Sequence, residues 1–283
     1  GIRIDNRMDG VANLTQPPVP PGGQFDYSFK VPDAGTFWYH PHNRTWEQMA
    51  RGLYGLLIVD EKEPPKVDRD LSFVIDDWML RGDGKLDLES MGHISEWAHG
   101  GRTGNVLTVN GASDPQVAVE AGDRLRVRLA NTANSRILQL RIQGAETRLI
   151  ALDGQPVETP RALESGVLIL PPAGRADLIL DIDPQPGNQA VIAEISDLRL
   201  PLIRFQSHPT RARRAKPLTD SIQLTANPIA EPDLNNPFEI DLDMTGGAMG
   251  RMSKAVFKGK ELPIKELVQK HKMIWAFNGI AGM

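Results

Sequence analysis

Two histidines, His40 and His42, stand two residues apart in the segment 35–42, which reads GTFWYHPH. Aromatic residues favour a β-strand here, and a strand turns alternate side chains to the same face. Trp38, His40 and His42 are therefore expected to point together, with the two histidine Cα atoms about 6.6 Å apart. This distance suits two imidazoles that bind two neighbouring metal ions, and suits a single ion less well. Spacing alone leaves metal binding open, because structural histidines are common.

The residues around the pair predict a small β unit. Pro41 has no backbone N–H, so the two histidines must lie at the end or the edge of a strand. Residues 45–48 (TWEQ) have the form of a capping box and predict a short helix that Gly52 can end. Residues 54–59 (YGLLIV) predict a second strand, and residues 25–29 (FDYSF) alternate like a half-buried strand before the pair.

Composition limits the classes of protein to consider. The chain has 283 residues, enough for about two domains on general length grounds. Its formal net charge of -4 argues against a nucleic-acid surface, which needs an excess of Lys and Arg. It has no cysteine, which excludes disulfides, thiolate catalysis and any copper centre built on Cys. No apolar run is long enough to cross a bilayer.

Short alternating segments recur through the middle of the chain. Residues 124–129 (RLRVRL) alternate strictly, with apolar side chains on one face and arginines on the other. The same period continues in residues 138–142, 167–170 and 178–182. Strands at this spacing without long helices predict a β-sandwich over residues 70–206. Residues 61–69, with two adjacent prolines, read as a linker that precedes it.

A proline-rich segment, residues 207–237, follows the predicted sandwich. It contains a basic cluster formed by Arg211, Arg213, Arg214 and Lys216. The cluster is either a docking patch for an acidic partner or part of a solvated interdomain linker, and an acidic chain favours the linker. Residues 238–244 (FEIDLDM) alternate again and are expected to start a third unit.

One short pattern occurs twice. Residues 107–111 (LTVNG) recur loosely as residues 275–279 (WAFNG), each a predicted strand that runs into an Asn-Gly turn. The first copy is followed by a full predicted sandwich, and the second by four residues. We therefore expect a chain that is cut at both ends. The expected divisions are a first domain over 1–62, a second over 70–206, a linker over 207–237, and the start of a third over 238–283.

Several of these segments resemble those of a known family. Segment 35–42, with residues 52–59 (GLYGLLIV) behind it, closely resembles the second copper-binding motif of the multicopper oxidases, which include laccases, bilirubin oxidases and copper-efflux oxidases. Residues 1–10 (GIRIDNRMDG) look like the continuation of the family's first motif, His-Trp-His-Gly, with only its glycine present. Residues 105–123 resemble the start of the middle plastocyanin-like domain, and residues 275–283 resemble that of the third.

The resemblance implies an all-β fold of tandem cupredoxin domains, which are Greek-key β-sandwiches, with the first and third incomplete. In the family, a type 1 copper takes electrons from substrate, and a trinuclear type 2/type 3 cluster reduces dioxygen to water. His40 and His42 are implied as ligands of the type 3 copper pair, one imidazole to each ion, with Trp38 and Tyr39 packed around them. Asp9 matches an acidic residue that helps to deliver protons. An Asp-Gly turn is the other reading, and the two roles can coexist.

The implied activity is that of an oxidoreductase that passes electrons from a small reducing substrate to dioxygen, in a periplasmic or exported parent protein. The substrate could be a phenol, an aromatic amine or a metal ion, and neither nucleic acid nor a membrane span is expected. The middle domain has LRIQG at residues 140–144, where the first motif's histidines would fall, so it is expected to bind no metal. With few cluster ligands and no cysteine, these 283 residues alone are expected to be inactive.

Two alternatives stay open. One is a copper-free structural or assembly protein with a cupredoxin fold, against which His40 and His42 argue. The other is a two-domain copper reductase or laccase, against which the second Asn-Gly turn at Asn278 argues, because it indicates a third domain. No role is assigned to the other histidines, His93, His99, His208 and His271.

Overall fold

A computed structural model describes residues 1–282, which form two compact units built mainly from β-strands. The first unit comprises Gly1–Leu86 and Thr103–Pro228, and the second comprises Asp87–Arg102 and the chain from Ile229 onward. In this part of the chain, helices are short, and none is both long enough and apolar enough to cross a membrane. The all-β prediction is confirmed.

Two antiparallel strands, β1 (Gly35–Tyr39) and β2 (Gly55–Val59), form a separate small sheet in the first unit. A helical turn, α1 (Thr45–Gln48), lies between them and continues as a 3-10 turn over Met49–Arg51. The predicted order of strand, short helix and strand is therefore confirmed.

The rest of the first unit is a β-sandwich of eleven strands. They are β3 (Arg69–Trp78), β4 (Val106–Val109), β5 (Gln116–Ala121), β6 (Arg124–Asn131), β7 (Leu138–Gln143), β8 (Ala145–Leu152), β9 (Gln155–Ala162), β10 (Val167–Leu170), β11 (Arg175–Ile182), β12 (Gln189–Glu194) and β13 (Pro201–Ala212). One sheet has the order β4-β3-β6-β11-β8-β9, and the other has the order β10-β7-β12-β13-β5. Apolar side chains from both sheets, such as Leu125, Leu140 and Phe205, form one buried core.

The arginine face of β6 is buried as well as its apolar face. Buried arginine side chains need charged partners, because an unpaired buried charge is very costly. The partners are Asp181 for Arg124, Glu61 and Asp177 for Arg126, and Asp70 and Asp177 for Arg128. Arg126 lies 2.6 Å from both of its carboxylates. The alternation at residues 124–129 was therefore interpreted correctly as a strand, but its polar side faces an ion-pair network.

Two predicted strands are wrong. Residues 25–29 and residues 238–243 have no strand conformation, and most of their apolar side chains are exposed, with Phe238 90% exposed. A strand is stable only when its backbone groups pair with a neighbouring strand, and no described segment forms a ladder with either stretch. Alternation of apolar and polar residues was therefore not sufficient to predict a strand at these two places.

The basic cluster lies against carboxylates. Strand β13 continues to Ala212, six residues into the segment that was predicted as a linker. The three arginines of the cluster then form ion pairs: Arg211 with Glu120, Arg213 with Asp123, and Arg214 with Asp68. Local carboxylates thus neutralise the three arginines of the cluster, which does not favour the docking-patch alternative.

The second unit contains a five-stranded sheet in the order β14-β17-β18-β15-β16. Its elements are α2 (Ile94–Ala98), β14 (Met244–Gly246), β15 (Lys254–Phe257), β16 (Lys260–Pro263), α3 (Ile264–Glu266), β17 (Trp275–Phe277) and β18 (Ile280–Ala281), with a π-helical turn over Leu267–His271. Ala255, Leu267, Ala276 and Ala281 form its small core.

The repeated Asn-Gly pattern is a repeated structure. Asn110 and Asn278 both adopt left-handed backbone conformations, with φ of 49° and 48°, in turns that follow β4 and β17. Each asparagine side chain accepts a hydrogen bond from the backbone N–H of one residue in another segment. It donates a second hydrogen bond to the carbonyl of the residue two positions before that one. The partners are Val74 and Ser72 for Asn110, and Asp243 and Asp241 for Asn278. The same turn and the same side-chain clamp therefore occur once in each unit.

We expect Asp177→Ala to lower the free energy of unfolding by about 3–5 kcal/mol, because it leaves buried arginines without a shared carboxylate. Urea denaturation of the chain measures this loss. Glu146→Ala is the matched control, since Glu146 pairs with Arg148 at the surface, and exposed pairs contribute at most about 1 kcal/mol. Equal losses of unfolding free energy in the two variants would contradict the expectation that the buried ion pairs are costlier to break than an exposed one.

Candidate metal centre

The histidine pair lies immediately after the end of β1. The last residue pair of the small sheet joins Tyr39 to Gly55, and His40 is the first residue beyond it. Pro41 explains why the strand stops here, because it cannot donate the next hydrogen bond of a ladder. The prediction that the pair lies at a strand end is confirmed.

The side chains of Trp38, His40 and His42 stack in series. The ring centroids of Trp38 and His40 are 4.2 Å apart, and those of His40 and His42 are 4.8 Å apart. The two imidazole planes differ by only 19°. Nearly parallel rings direct their in-plane nitrogen lone pairs alongside each other rather than toward one point. This arrangement favours two adjacent ions, one for each ring, over one shared ion.

The helical turn that follows the pair contacts it through Thr45, but the predicted capping box is not formed. Thr45 is the first residue of α1 rather than its cap, and Arg44 precedes it in the left-handed region with φ of 48°. The Thr45 hydroxyl donates to the Pro41 carbonyl over 2.9 Å. Gly52, with φ of 85°, ends the following 3-10 turn as predicted. The capping-box prediction is wrong, since the hydroxyl donates to a preceding carbonyl and accepts no backbone N–H of the helix.

The protonation state of His40 suits metal binding. Burial lowers the pKa of His40 below its ordinary value, and the neighbouring His42 lowers it further, while the Pro41 carbonyl partly opposes both. His40 Nδ1 lies 3.3 Å from the Pro41 carbonyl oxygen. A ring whose Nδ1–H faces a carbonyl keeps its Nε2 lone pair for a metal, which is common among metal-binding histidines.

A cavity of about 570 Å³ brings Asp9 together with His40 and His42. Asp9 ends a 3-10 turn over Asn6–Met8, and Gly10 follows it with φ of 82°. The predicted Asp-Gly turn is therefore present, and its carboxylate-bearing residue also lines the cavity of the histidine pair. The two interpretations of Asp9 are compatible in this geometry.

Arg175 also lines this cavity, and no motif in the sequence pointed to it. It begins β11, and its guanidinium donates to the carbonyls of Ala173 and Asp153. Burial lowers the pKa of Arg175, and the Asp153 carboxylate opposes that shift. Within residues 1–282, no three side chains of His, Cys, Asp or Glu are placed to hold an ion together. The cavity is thus lined by two imidazoles and by one carboxylate-bearing residue, Asp9.

The other four histidines do not line this cavity. Each has a local contact: Ser95 for His93 and His99, Thr210 for His208, and the Phe257 ring for His271. His93 also caps α2, since its Nδ1 accepts the Ser95 N–H. These contacts are structural, which agrees with leaving the four residues without a chemical role.

Comparisons with known proteins agree with this geometry. Two family models, both described as multicopper oxidase, match residues 1–64 and 69–208. Multicopper oxidase MmcO of Mycobacterium tuberculosis is 29% identical over 185 residues, which is 56% of this chain and 36% of that protein. Multicopper oxidase mco of Staphylococcus aureus is 28% identical over 191 residues, which is 64% of this chain and 40% of that protein.

Solved structures give the same result. A multi-copper oxidase from Pseudomonas thermotolerans superposes with a TM-score of 0.73 at 38% identity, over 82% of this chain and 54% of that one. Lac15 from a marine microbial metagenome superposes with a TM-score of 0.67 at 40% identity, over 83% of this chain and 58% of that one. The chain thus spans less than two thirds of the length of these relatives.

Trp38→Ala is expected to raise the pKa of His40 toward its ordinary value, because the substitution removes the ring that covers the imidazole. NMR titration of the histidine Cε1–H signals measures the change. Tyr39→Ala is the control, since the Tyr39 side chain is 63% exposed and is not part of the stack. An unchanged His40 titration in Trp38→Ala would contradict burial as the cause of the shift.

Proposed function

The chain belongs to the multicopper oxidase family, and on that basis we propose that it is part of an enzyme that couples one-electron oxidation of a small reducing substrate to reduction of dioxygen to water. The relatives that it matches are multicopper oxidases and laccases, which are copper oxidoreductases. The observation that supports a site in this chain is the stacked pair His40 and His42 in a cavity that also contains Asp9.

Copper is the metal that these residues fit. Imidazole is a good ligand for copper, and the lowered pKa of His40 keeps that ring neutral over more of the pH range. His40 and His42 would each hold one ion of the type 3 pair of a trinuclear cluster. Bound copper supplies the one-electron steps of oxygen reduction. The role of this chain is to hold the two imidazoles side by side, with Trp38 stacked on His40.

The remaining parts of the enzyme's chemistry are absent from these residues. A type 1 copper site built on cysteine lacks its thiolate ligand here, because the chain has no cysteine. We propose that residues 1–62 belong to the first cupredoxin domain, 70–206 to a metal-free second domain, 207–237 to a linker, and 238–283 to the third. The matches at 1–64 and 69–208 and the repeated asparagine clamp support this division. A phenol, an aromatic amine or a metal ion as substrate, and export to the periplasm, rest on the family alone.

Asp9 is the proposed proton donor. Oxygen reduction consumes protons, and Asp9 lines the cavity of the histidine pair. In the whole protein, Asp9→Asn keeps the shape of the side chain but cannot carry a proton. We expect it to slow oxygen uptake by about 100-fold or more, since positioned acid catalysis contributes about that much. Copper content should stay unchanged, and an oxygen electrode with saturating reductant measures the rate. An unaltered rate would remove Asp9 from the mechanism.

The chain itself is expected to bind Cu(II) through the histidine pair. The double variant His40→Ala, His42→Ala should weaken Cu(II) binding by more than about 10- to 100-fold. Altering only the hydrogen-bonding partner of a ligand already costs about that much, and here both ligands are removed. Isothermal titration with Cu(II) measures the affinity. His208→Ala is the control, because His208 contacts Thr210 and does not line the cavity.

Other outcomes of this titration separate the alternatives. A chain that binds no Cu(II), or that binds it equally after both substitutions, would favour the copper-free structural protein. The copper-loaded chain should consume no oxygen with a phenolic reductant beyond the free-copper background, since it contains two cluster ligands and no cysteine. Oxygen uptake above that background would contradict the proposal that these residues alone are inactive.

A further inference from the structure

The start of β1 is held by side chains that lie far away in the sequence. Asn227 forms a two-way clamp on the backbone of Ala34, the residue before the strand. Its Oδ1 accepts the Ala34 N–H over 3.0 Å, and its Nδ2 donates to the Ala34 carbonyl over 2.9 Å. Nδ2 also lies 2.8 Å from the side-chain oxygen of Gln155. One amide thus joins the segment after β13 to the base of the histidine-bearing strand.

The clamp belongs to an ordered segment, residues 218–227, which we call the strap. The carbonyls of Leu218 and Asp220 accept hydrogen bonds from Arg124. Leu224 is buried in a small cluster with apolar side chains of β8 and β11. Gln223 donates to the Val157 carbonyl on β9. The strap is therefore fixed along the six-stranded sheet before it reaches Ala34, which gives Asn227 a defined position.

Thr36 lies two residues after the clamped Ala34. Two arginines of the six-stranded sheet hold it. Arg128 on β6 donates to the Thr36 hydroxyl over 2.9 Å, and Arg175 on β11 donates to the Thr36 carbonyl over 3.4 Å. Thr36 is fully buried. Arg128 is itself fixed by Asp70 and Asp177, so its contact with Thr36 has little freedom.

Gly35 shows how closely the two parts approach. Its φ is 148°, and a Cβ at this position would lie 2.4 Å from the Gly154 carbonyl oxygen in the turn between β8 and β9. A side chain would not fit, so the backbone of β1 packs directly on that turn. Three consecutive residues, 34–36, are thus held through backbone or side-chain contacts, only a few residues before His40.

We propose that Asn227, Arg128 and Arg175 are positioning residues for the candidate metal centre. They fix the start of β1 on the metal-free sandwich, so that the strand holds His40 and His42 stacked at its other end. Metal ligands must be kept within about 0.5 Å of their working geometry by the surrounding contacts. The inference rests on the proposed function for its purpose, but the placement of the histidines can be measured without metal.

The first test uses Asn227→Ala, with Thr225→Ala as the matched control, because Thr225 is an exposed residue of the same strap. Losing the clamp should move the histidine Cε1–H NMR signals of His40 and His42, because ring-current shifts depend on the stack with Trp38. The signal of His208 should stay in place. Amide exchange of residues 35–42 should become about fivefold faster, which corresponds to one lost hydrogen bond. Thr225→Ala should change neither quantity.

The second test uses Thr36→Val, which keeps the shape of the side chain but removes the acceptor for Arg128. It should produce the same displacement of the His40 and His42 signals, and Thr36→Ser should restore the signals of the unaltered chain. Thr36→Val should also bind Cu(II) about fivefold more weakly than the unaltered chain, whereas Thr36→Ser should bind it with the affinity of the unaltered chain.

Three results would overturn the inference. Unmoved histidine signals in Asn227→Ala and Thr36→Val would show that the contacts do not position the pair. Faster exchange in β6 and β11 to the same extent as in β1 would show a general loss of stability. Displaced signals with unchanged Cu(II) affinity would show that the position of the rings is irrelevant to the metal. If the unaltered chain binds no Cu(II), the proposed function fails, while displaced signals would still support the anchoring of the histidine pair.

Discussion

The first unit depends on the neutralisation of three arginine charges on one strand. Buried guanidinium groups on β6 require carboxylates within hydrogen-bonding distance, since an uncompensated charge in the interior costs several kcal/mol or more. Asp177 on the neighbouring strand serves both Arg126 and Arg128. Glu61 comes from the segment that joins the small sheet to the sandwich, so pairing it with Arg126 fixes the path of that segment. Electrostatic pairing therefore determines how the small sheet is attached.

The same network extends to the base of the histidine-bearing strand. Arg128 uses its guanidinium for two carboxylates and for the hydroxyl of Thr36. A buried polar network with every member satisfied is rigid, because moving one group leaves others unpaired. Thr36 therefore sits at the edge of the most constrained part of the unit. Three residues later the strand ends at Tyr39, and His40 and His42 follow it directly.

Much of this arrangement could be predicted from the sequence, because it follows from local rules. Alternation identified β6, β7, β10 and β11, proline placed His40 and His42 at a strand end, and the Asn-Gly dipeptides identified two turns. Local rules failed where partners decide the outcome. Residues 25–29 have the strand pattern but no neighbouring strand to pair with. Thr45 has the sequence of a cap, but the left-handed Arg44 moves the start of the helix.

The parts of the site that sequence patterns missed are long-range contacts. Arg175 and Asn227 have no motif around them, and they reach the strand only because β11 and the strap cross its base. Neither position could be found from periodicity, which describes faces of single elements and not their neighbours. The buried state of the β6 arginines was missed for the same reason, since the pattern RLRVRL fits an exposed polar face equally well.

The sandwich can determine the geometry of the candidate metal centre on the neighbouring small sheet. A strand of five residues with only one partner strand is weakly constrained by its own ladder. The direction of β1 must therefore come from outside the small sheet, and the contacts at residues 34–36 supply it from β6, β11 and the strap. Because the imidazoles follow the strand directly, any tilt at its base is carried to the rings. The sandwich is in this respect the support of the histidine pair.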